Sequence, residues 1–220
     1  MRLAACVILA RDVPGNGIEV FMVRRSGRSA FAPDAFVFPG GTVDDADFGG
    51  AEDGWPDARV AAEFRATVDR ILPASEPPVA PDQARALVRA AVRELKEEAA
   101  IDVSGADLAL FSHWITPEVE PRRYNTYFFV ARSPEGAEGV ADAGETLEAR
   151  WIAPEEALHH HGYGTFHLVY PTIKHLERLK TFDSVDGLLR FARGKDIVTI
   201  MPDRTPEQGF ELPATLERVW

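Results

Sequence analysis

The segment Arg93-Glu94-Leu95-Lys96-Glu97-Glu98 carries carboxylates at i, i+3 and i+4. On a helix, Glu94, Glu97 and Glu98 point within about 60° of one direction. Three like charges on one patch repel one another, so the patch costs stability unless a cation sits among them. Arg93 can pair with Glu97 at i+4, and Lys96 can help, but neither neutralises the set. An oxygen-only donor set suits Mg²⁺ or Mn²⁺ rather than zinc. Upstream, Phe38-Pro39-Gly40-Gly41 ends a short apolar run. A Gly-Gly pair after a strand lets the backbone turn tightly and leaves room for a ligand or a metal.

A helix must hold these carboxylates, and Gln83 to Ala100 has the pattern for one. Ala84, Leu87, Val88, Ala91 and Leu95 form an apolar stripe, and Asp82 is the expected cap. Strand-like runs occur at 3–10 and 18–24, separated by the turn DVPGNG, and again at 36–38, 108–115, 124–131 and 149–152. Pro154-Glu155-Glu156 reads as a helix first turn. Residues 167–180 and 185–193 look helical, and 197–200 reads as a last short strand. Residues 57–71 have helical periodicity, with Val60, Ala61, Phe64 and Val68 on one side; the proline-rich stretch after them cannot be a regular element. Strands and helices intermix, so the class is α/β or α+β with a mixed central sheet.

Together, Gly41 and the Arg93–Ile101 segment resemble the signature of the Nudix hydrolase family. That signature is Gly, five residues, Glu, seven residues, then Arg-Glu-U-x-Glu-Glu-x-Gly-U, with U aliphatic. In this chain Asp47 stands where the family has Glu, six residues after Gly41, and Ala100 replaces the second Gly. Asp47 and Arg93 are 46 positions apart, against 8 in the family pattern, so the box is split by an insertion of 38 residues. A split box resembles the branch of peroxisomal coenzyme A diphosphatases. So do Arg24-Arg25-Ser26 leading to Phe31-Ala32-Pro33, and Trp114-Ile115-Thr116-Pro117 leading to Pro121-Arg122-Arg123-Tyr124. The coenzyme A motif of shorter relatives has a basic residue where Ala30 stands and Gly where Asp34 stands.

The resemblance implies an α/β/α sandwich over residues 1–220 as one Nudix domain. A helical insertion at about 48–85 and a helical C-terminal extension at about 154–220 complete it. It implies hydrolysis of a nucleoside diphosphate linked to another moiety, with coenzyme A or an acyl-coenzyme A favoured. The alternatives are an ADP-sugar, dinucleotide or nucleoside triphosphate, or a nucleotide sensor without turnover. Arg93, Glu94, Glu97 and Glu98 are then catalytic, and Glu94, Glu97, Glu98 and Glu145 hold the metal. Glu148 is the other acid before Trp151. Gly40, Gly41 and Asp47 shape the loop. For substrate phosphates the candidates are Arg25, within the cluster Arg24, Arg25 and Arg28, and Arg122 with Arg123. Tyr124 is placed to stack on a base. Homodimers are common in this family.

The 220 residues carry a net charge of −11. That balance argues against long nucleic acids and anionic membranes as partners. It leaves a small phosphate substrate open, because bound cations reverse the local sign. Cys6 is the one cysteine, which excludes an intramolecular disulfide. No apolar run approaches a membrane span and no signal-peptide pattern opens the chain, so the cytoplasm is the expected setting. His159-His160-His161 do not face one way on a helix and read as an exposed helix end rather than a metal site.

Overall fold

A computed structural model describes residues 1–27, 32–49, 59, 63, 64, 79–142, 144, 146–205, 209–212 and 216. The chain begins with β1 (Arg2–Asp12) and β2 (Ile18–Arg25), then β3 (Phe36–Val37), β4 (Gly40–Thr42) and a one-turn helix α1 (Asp45–Phe48). The long helix α2 (Pro81–Ala99) follows, then β5 (Ala109–Ile115), β6 (Tyr124–Arg132) and β7 (Thr146–Ile152). Helices α3 (Pro154–Gly162), α4 (Tyr170–Leu179) and α5 (Val185–Gly194) lead to β8 (Thr199–Ile200) and a hairpin of β9 (Asp203–Thr205) and β10 (Gly209–Glu211).

The main sheet runs β3-β2-β1-β6-β5-β8, with β4 added to β1 and β7 to β2. The β1–β6 and β5–β8 pairs are parallel and the others antiparallel, so the sheet is mixed as expected. Alternation along β1 divides two apolar layers. Ala5, Val7 and Leu9 face the layer that holds Leu87, Ala91 and Leu95 of α2. Ile8 and Ala10 face the layer built by α3, α4 and α5. The result is the α/β/α sandwich.

Several expected boundaries move. Helix α2 starts earlier than expected: Pro81 opens it, and Asp82 lies in the first turn rather than capping it. Proline suits that position because its missing N–H is not needed there. The Gln83 side chain accepts from the Ala80 N–H at 3.1 Å. Gly40 and Gly41, expected in a turn, form a strand paired with Ala5 and Cys6. Asp47, expected in a loop, lies in α1. Residues 167–169 precede α4 instead of belonging to it, and Leu168 bridges to Phe36. The C-terminal extension is not wholly helical. Its apolar stretch Ile197–Ile200 is buried and supplies an edge strand to β5, and the hairpin follows.

Most of the insertion, and with it the expected helix over 57–71 and Trp55, lies outside the described residues. Arg59, Glu63 and Phe64 are described and helical. Phe64 is buried against Tyr127 and Phe129. Glu63 accepts from the Leu110 N–H at 2.9 Å, and Arg59 donates to the Ala106 carbonyl at 2.6 Å.

Candidate active site

Strand β1 divides its partners: its second half pairs with β2 and its first half with β4. Above the first half opens a cavity of about 930 Å³. Parallel register sets its floor in rows: Arg2 beside Tyr124, Ala4 beside Thr126, Cys6 beside Phe128. All six line the cavity. The middle row is small, and that is what leaves the space. Gly40 lies beside Cys6 and Thr42 beside Ala4, closing one side.

Glu94, Glu97 and Glu98 line the cavity together with Arg93, Gly40 and Gly41. Glu98 is buried, 4% exposed. Its Oε2 accepts from the Gly40 N–H at 2.9 Å, which ties α2 to β4. Gly41 leaves room for a neighbouring carboxylate: a Cβ there would lie 2.6 Å from Oε2 of Glu94 and nearer still to Oε1. The space the Gly-Gly pair provides is therefore filled by Glu94. At Gly40 a Cβ would lie 2.6 Å from Cα and Sγ of Cys6. The β4 backbone crosses too close to β1 for any side chain.

Arg93 gathers the acids. It donates to Glu94 at 2.8 Å, to Glu97 at 3.0 Å and to both oxygens of Asp47, at 3.1 and 2.9 Å. It also reaches the Thr42 carbonyl at 3.1 Å. These carboxylates, Asp47 first, hold the guanidinium pKa above its ordinary value. Asp47 is buried and also accepts from the Asp44 N–H at 2.8 Å. The shorter acid thus serves as the anchor of Arg93, linking the two halves of the split box. Arg89 adds a bond to the Asp47 carbonyl at 2.8 Å.

The two replaced glycines keep the backbone a glycine would adopt. Ala100 ends α2 with φ 55° and donates its N–H to the Lys96 carbonyl, as a left-handed C-cap does. Asp34, where the coenzyme A motif has Gly, has φ 58°. Asp tolerates that conformation better than most residues.

The donor set fits a hard divalent cation, since Glu94, Glu97 and Glu98 offer only oxygens from one helix face. Among the described residues, no three His, Cys, Asp or Glu side chains converge on a single point. Glu94 and Glu97 lean onto Arg93, and Glu98 onto the Gly40 N–H, which accounts for that separation. Glu145 lies outside the described residues, as does Arg28. Glu148 pairs with Arg24 at 3.5 Å and Arg150 at 2.5 Å and does not line the cavity.

Arg25, Arg122 and Tyr124 line the cavity. The Nε of Arg25 is buried without a hydrogen-bond partner among the described residues. Arg123 sits differently. It is not part of the cavity wall, because its Nε donates to the Thr116 carbonyl at 3.0 Å within its own β5–β6 connection. The sequence reading missed Asp44 and Asp142, two acids on the wall, as well as Arg2, Tyr170 and Phe210. Asp142 accepts from the Thr146 N–H and hydroxyl at 2.7 and 2.8 Å. Cys6 lines the cavity while packing against the apolar core; burial and the nearby Glu98 push its thiol up to about 12.

The lone histidines are structural. His175 donates from Nδ1 to the Pro171 carbonyl at 2.6 Å, so its Nε2 accepts the Ser112 hydroxyl at 2.6 Å. His113 bridges Asn125 and Thr199. Burial pushes His113 down to about 4 and His175 to about 3. The His159–His161 run ends α3; His161 bonds to the Phe166 carbonyl at 2.9 Å.

A carboxylate helix, a glycine strand and an arginine bonded to three acids thus share one cavity wall. Residues 81–169 match the family model described as NUDIX domain. It is 25% identical over 217 residues to "Putative nudix hydrolase 7" of Caenorhabditis elegans, covering 93% of this chain and 69% of that protein. A shorter match, 45% identical over 56 residues, is to "Acyl-coenzyme A diphosphatase NUDT19" of Gallus gallus; it covers 21% of this chain and 15% of that protein. In fold, the chain is similar to the crystal structure of a NUDIX hydrolase from Alicyclobacillus acidocaldarius. That likeness has a TM-score of 0.66 at 22% identity and covers 86% of this chain and 96% of that one. Nudix hydrolases generally use divalent metal ions. No helix among the described residues is long and apolar enough to cross a membrane.

Proposed function

We propose that this chain is a Mg²⁺- or Mn²⁺-dependent pyrophosphohydrolase that cleaves a nucleoside diphosphate joined to another moiety. Coenzyme A or an acyl-coenzyme A is the favoured substrate class. The observation that carries the reading is the Glu94 carboxylate seated over Gly41 and bonded to Arg93 on the wall of the 930 Å³ cavity. That placement fixes one acid of the patch in a single orientation, as catalysis by position requires.

Glu94, Glu97 and Glu98 are the residues that would hold the metal. Bound there, a divalent ion would neutralise pyrophosphate oxygens and would lower the pKa of water. The oxygen of water forms a bond to one phosphorus, the bridging P–O bond breaks, and the leaving phosphate takes the electron pair. A carboxylate of the patch accepts the proton of the attacking water. Glu97 is the most open of the three, its side chain 59% exposed. Arg93 keeps Glu94 and Glu97 oriented between turnovers. Arg25 and Arg122 supply cation contacts for phosphate oxygens, and Tyr124 offers an aromatic face beside Arg2.

Support for the coenzyme A class comes from the split box and the flanking Trp114–Tyr124 segment. The short match to the avian acyl-coenzyme A diphosphatase adds to it. The test is a turnover screen of coenzyme A, acyl-coenzyme A, NADH, ADP-ribose and nucleoside triphosphates with Mg²⁺ or Mn²⁺, with products identified by mass. A 3′,5′-ADP product from coenzyme A substrates supports the reading. Faster turnover of a nucleoside triphosphate than of any coenzyme A substrate overturns the substrate assignment.

A further inference from the structure

Strand β7 is an edge of the main sheet. It pairs with β2 on one side, and among the described residues no strand pairs with it on the other. Its outer row of backbone N–H and C=O groups is therefore open to a further strand. The sequence Thr146-Leu147-Glu148-Ala149-Arg150-Trp151-Ile152 holds none of the proline or lysine residues that guard such edges. One bulge interrupts it: Arg24 faces Glu148 and Arg25 faces Thr146, so Leu147 has no opposite residue. Residues 148–152 keep a regular register with β2.

Alternation sorts the side chains of this stretch onto two faces. Ala149 and Trp151 pack against the layer of α2. Arg150 lies on the other face, its guanidinium 5.9 Å from the Phe36 ring and 5.8 Å from the Phe166 ring, both part of the opposite layer. Glu148 shares that face. It pairs with Arg150 and, across β2, with Arg24 at 3.5 Å. Both charged side chains stay partly open to solvent, Glu148 at 34% and Arg150 at 45%. An acid and a base two residues apart on one open edge make a self-complementary pattern.

We propose that the β7 edge receives the β7 edge of a second copy of this chain, antiparallel about Ala149, with each Glu148 opposite Arg150 of the other copy. Symmetry and charge select that register. A two-fold axis normal to the sheet keeps every side chain on its own face, so it must pass through a residue rather than between two. An axis at Glu148 sets glutamate against glutamate, and an axis at Arg150 sets arginine against arginine. Like charges directly opposite are destabilising. The axis at Ala149 sets Glu148 against Arg150 twice and extends the row from Arg24 through Glu148 to Arg150 of the second copy. It also brings Leu147, 49% exposed, level with Trp151 of the second copy. Axes nearer either end of β7 pair fewer strand residues. The pairing is short, so the dimer should be weak, with a Kd of about 10–100 µM. None of these side chains lines the cavity, so the inference stands apart from the proposed reaction.

The test is sedimentation equilibrium of the full chain at low salt, with a thermal melt of each variant. The wild type should dimerise. Glu148→Arg and Arg150→Glu each set like charges opposite one another at both places, and each should weaken the dimer at least about tenfold. Mixed together, the two variants should associate about as tightly as the wild type, because every facing pair is again opposite in sign. A wild type that stays monomeric at about 1 mM overturns the proposal and leaves the edge to a partner of another kind. A dimer that both variants keep overturns it too, as do folded variants that fail to associate when mixed. If either variant unfolds, hydrogen exchange of the wild type decides. Raising the concentration from about 1 µM to about 1 mM should slow amide exchange in β7 and leave β8, at the far edge, unchanged. Exchange in β7 that does not respond to concentration overturns the proposal.

Discussion

Substituting Gly41 by Ala separates the position of one carboxylate from the stability of the fold. Gly41 lies in β4 with its backbone outside the left-handed region, so an alanine there carries no conformational penalty. The new Cβ would lie 2.6 Å from Glu94 Oε2, where ordinary contact begins near 3.4 Å. The carboxylate must therefore retreat by about 1 Å, and it can do so because it is the end of a flexible side chain. A misplacement of about 1 Å in a reacting constellation costs about 100-fold in rate, or about 2.7 kcal/mol of transition-state stabilisation. The cost in fold stability should stay below about 1 kcal/mol, since the displaced group moves toward the cavity. Gly40→Ala is the contrasting case: its Cβ would meet the β1 backbone, which cannot yield, so that variant should lose its fold. The assay is kcat for coenzyme A hydrolysis with Mg²⁺, beside a thermal melt of each variant. A Gly41→Ala enzyme that melts like wild type and keeps wild-type kcat and KM would refute the assignment of Glu94 to the reaction.

Other substitutions test neighbouring parts of the account. Asp47→Asn removes the charge from a buried acceptor of two Arg93 bonds and one backbone N–H, and should cost about 1–3 kcal/mol by urea denaturation. An unchanged midpoint would mean that Asp47 does not anchor Arg93. Ala100→Gly relieves a left-handed alanine at the end of α2 and should stabilise by about 1 kcal/mol, raising Tm by about 2–4 °C; a lower Tm would contradict the cap reading. His113 and His175 are held neutral in the fold, at about 4 and about 3, while an unfolded histidine titrates near 6.5. Their contribution is therefore complete above pH 6.5 and is lost as the pH falls, because only the unfolded chain takes up the protons. By pH 5 this amounts to about 2 kcal/mol for each histidine. Urea unfolding free energies that stay flat from pH 7 to pH 5 would contradict it.

The carboxylate helix was legible because its signal is local. An apolar stripe of period 3.6 and three glutamates at i, i+3 and i+4 determine which face meets the sheet and which meets the cavity. The mixed sheet was legible for the same reason, from runs of β-rich sequence between turn signals. What escaped was long-range. Nothing near Gly40 says that it pairs with Cys6, so a strand read as a turn. Asp142 looks like any loop acid until β7 and α2 bring it to the wall. Phe210 lies some 170 residues from Gly40 and reaches the same cavity only through the register of β8 on β5. Arg122 and Arg123 are equivalent in sequence, yet one lines the cavity and the other bonds to its own connection. Both lie in the β5–β6 connection, where no strand periodicity tells which side chain points inward.

The proposed reaction requires a divalent ion held by Glu94, Glu97 and Glu98. The direct measurement is the rate of diphosphate cleavage by the wild-type chain and by Glu97→Gln, each in chelator and with Mg²⁺ or Mn²⁺ restored, with products identified by mass. The account predicts no cleavage in chelator, full recovery with metal for the wild type, and little recovery for a folded Glu97→Gln. Cleavage at the full rate in chelator would contradict it.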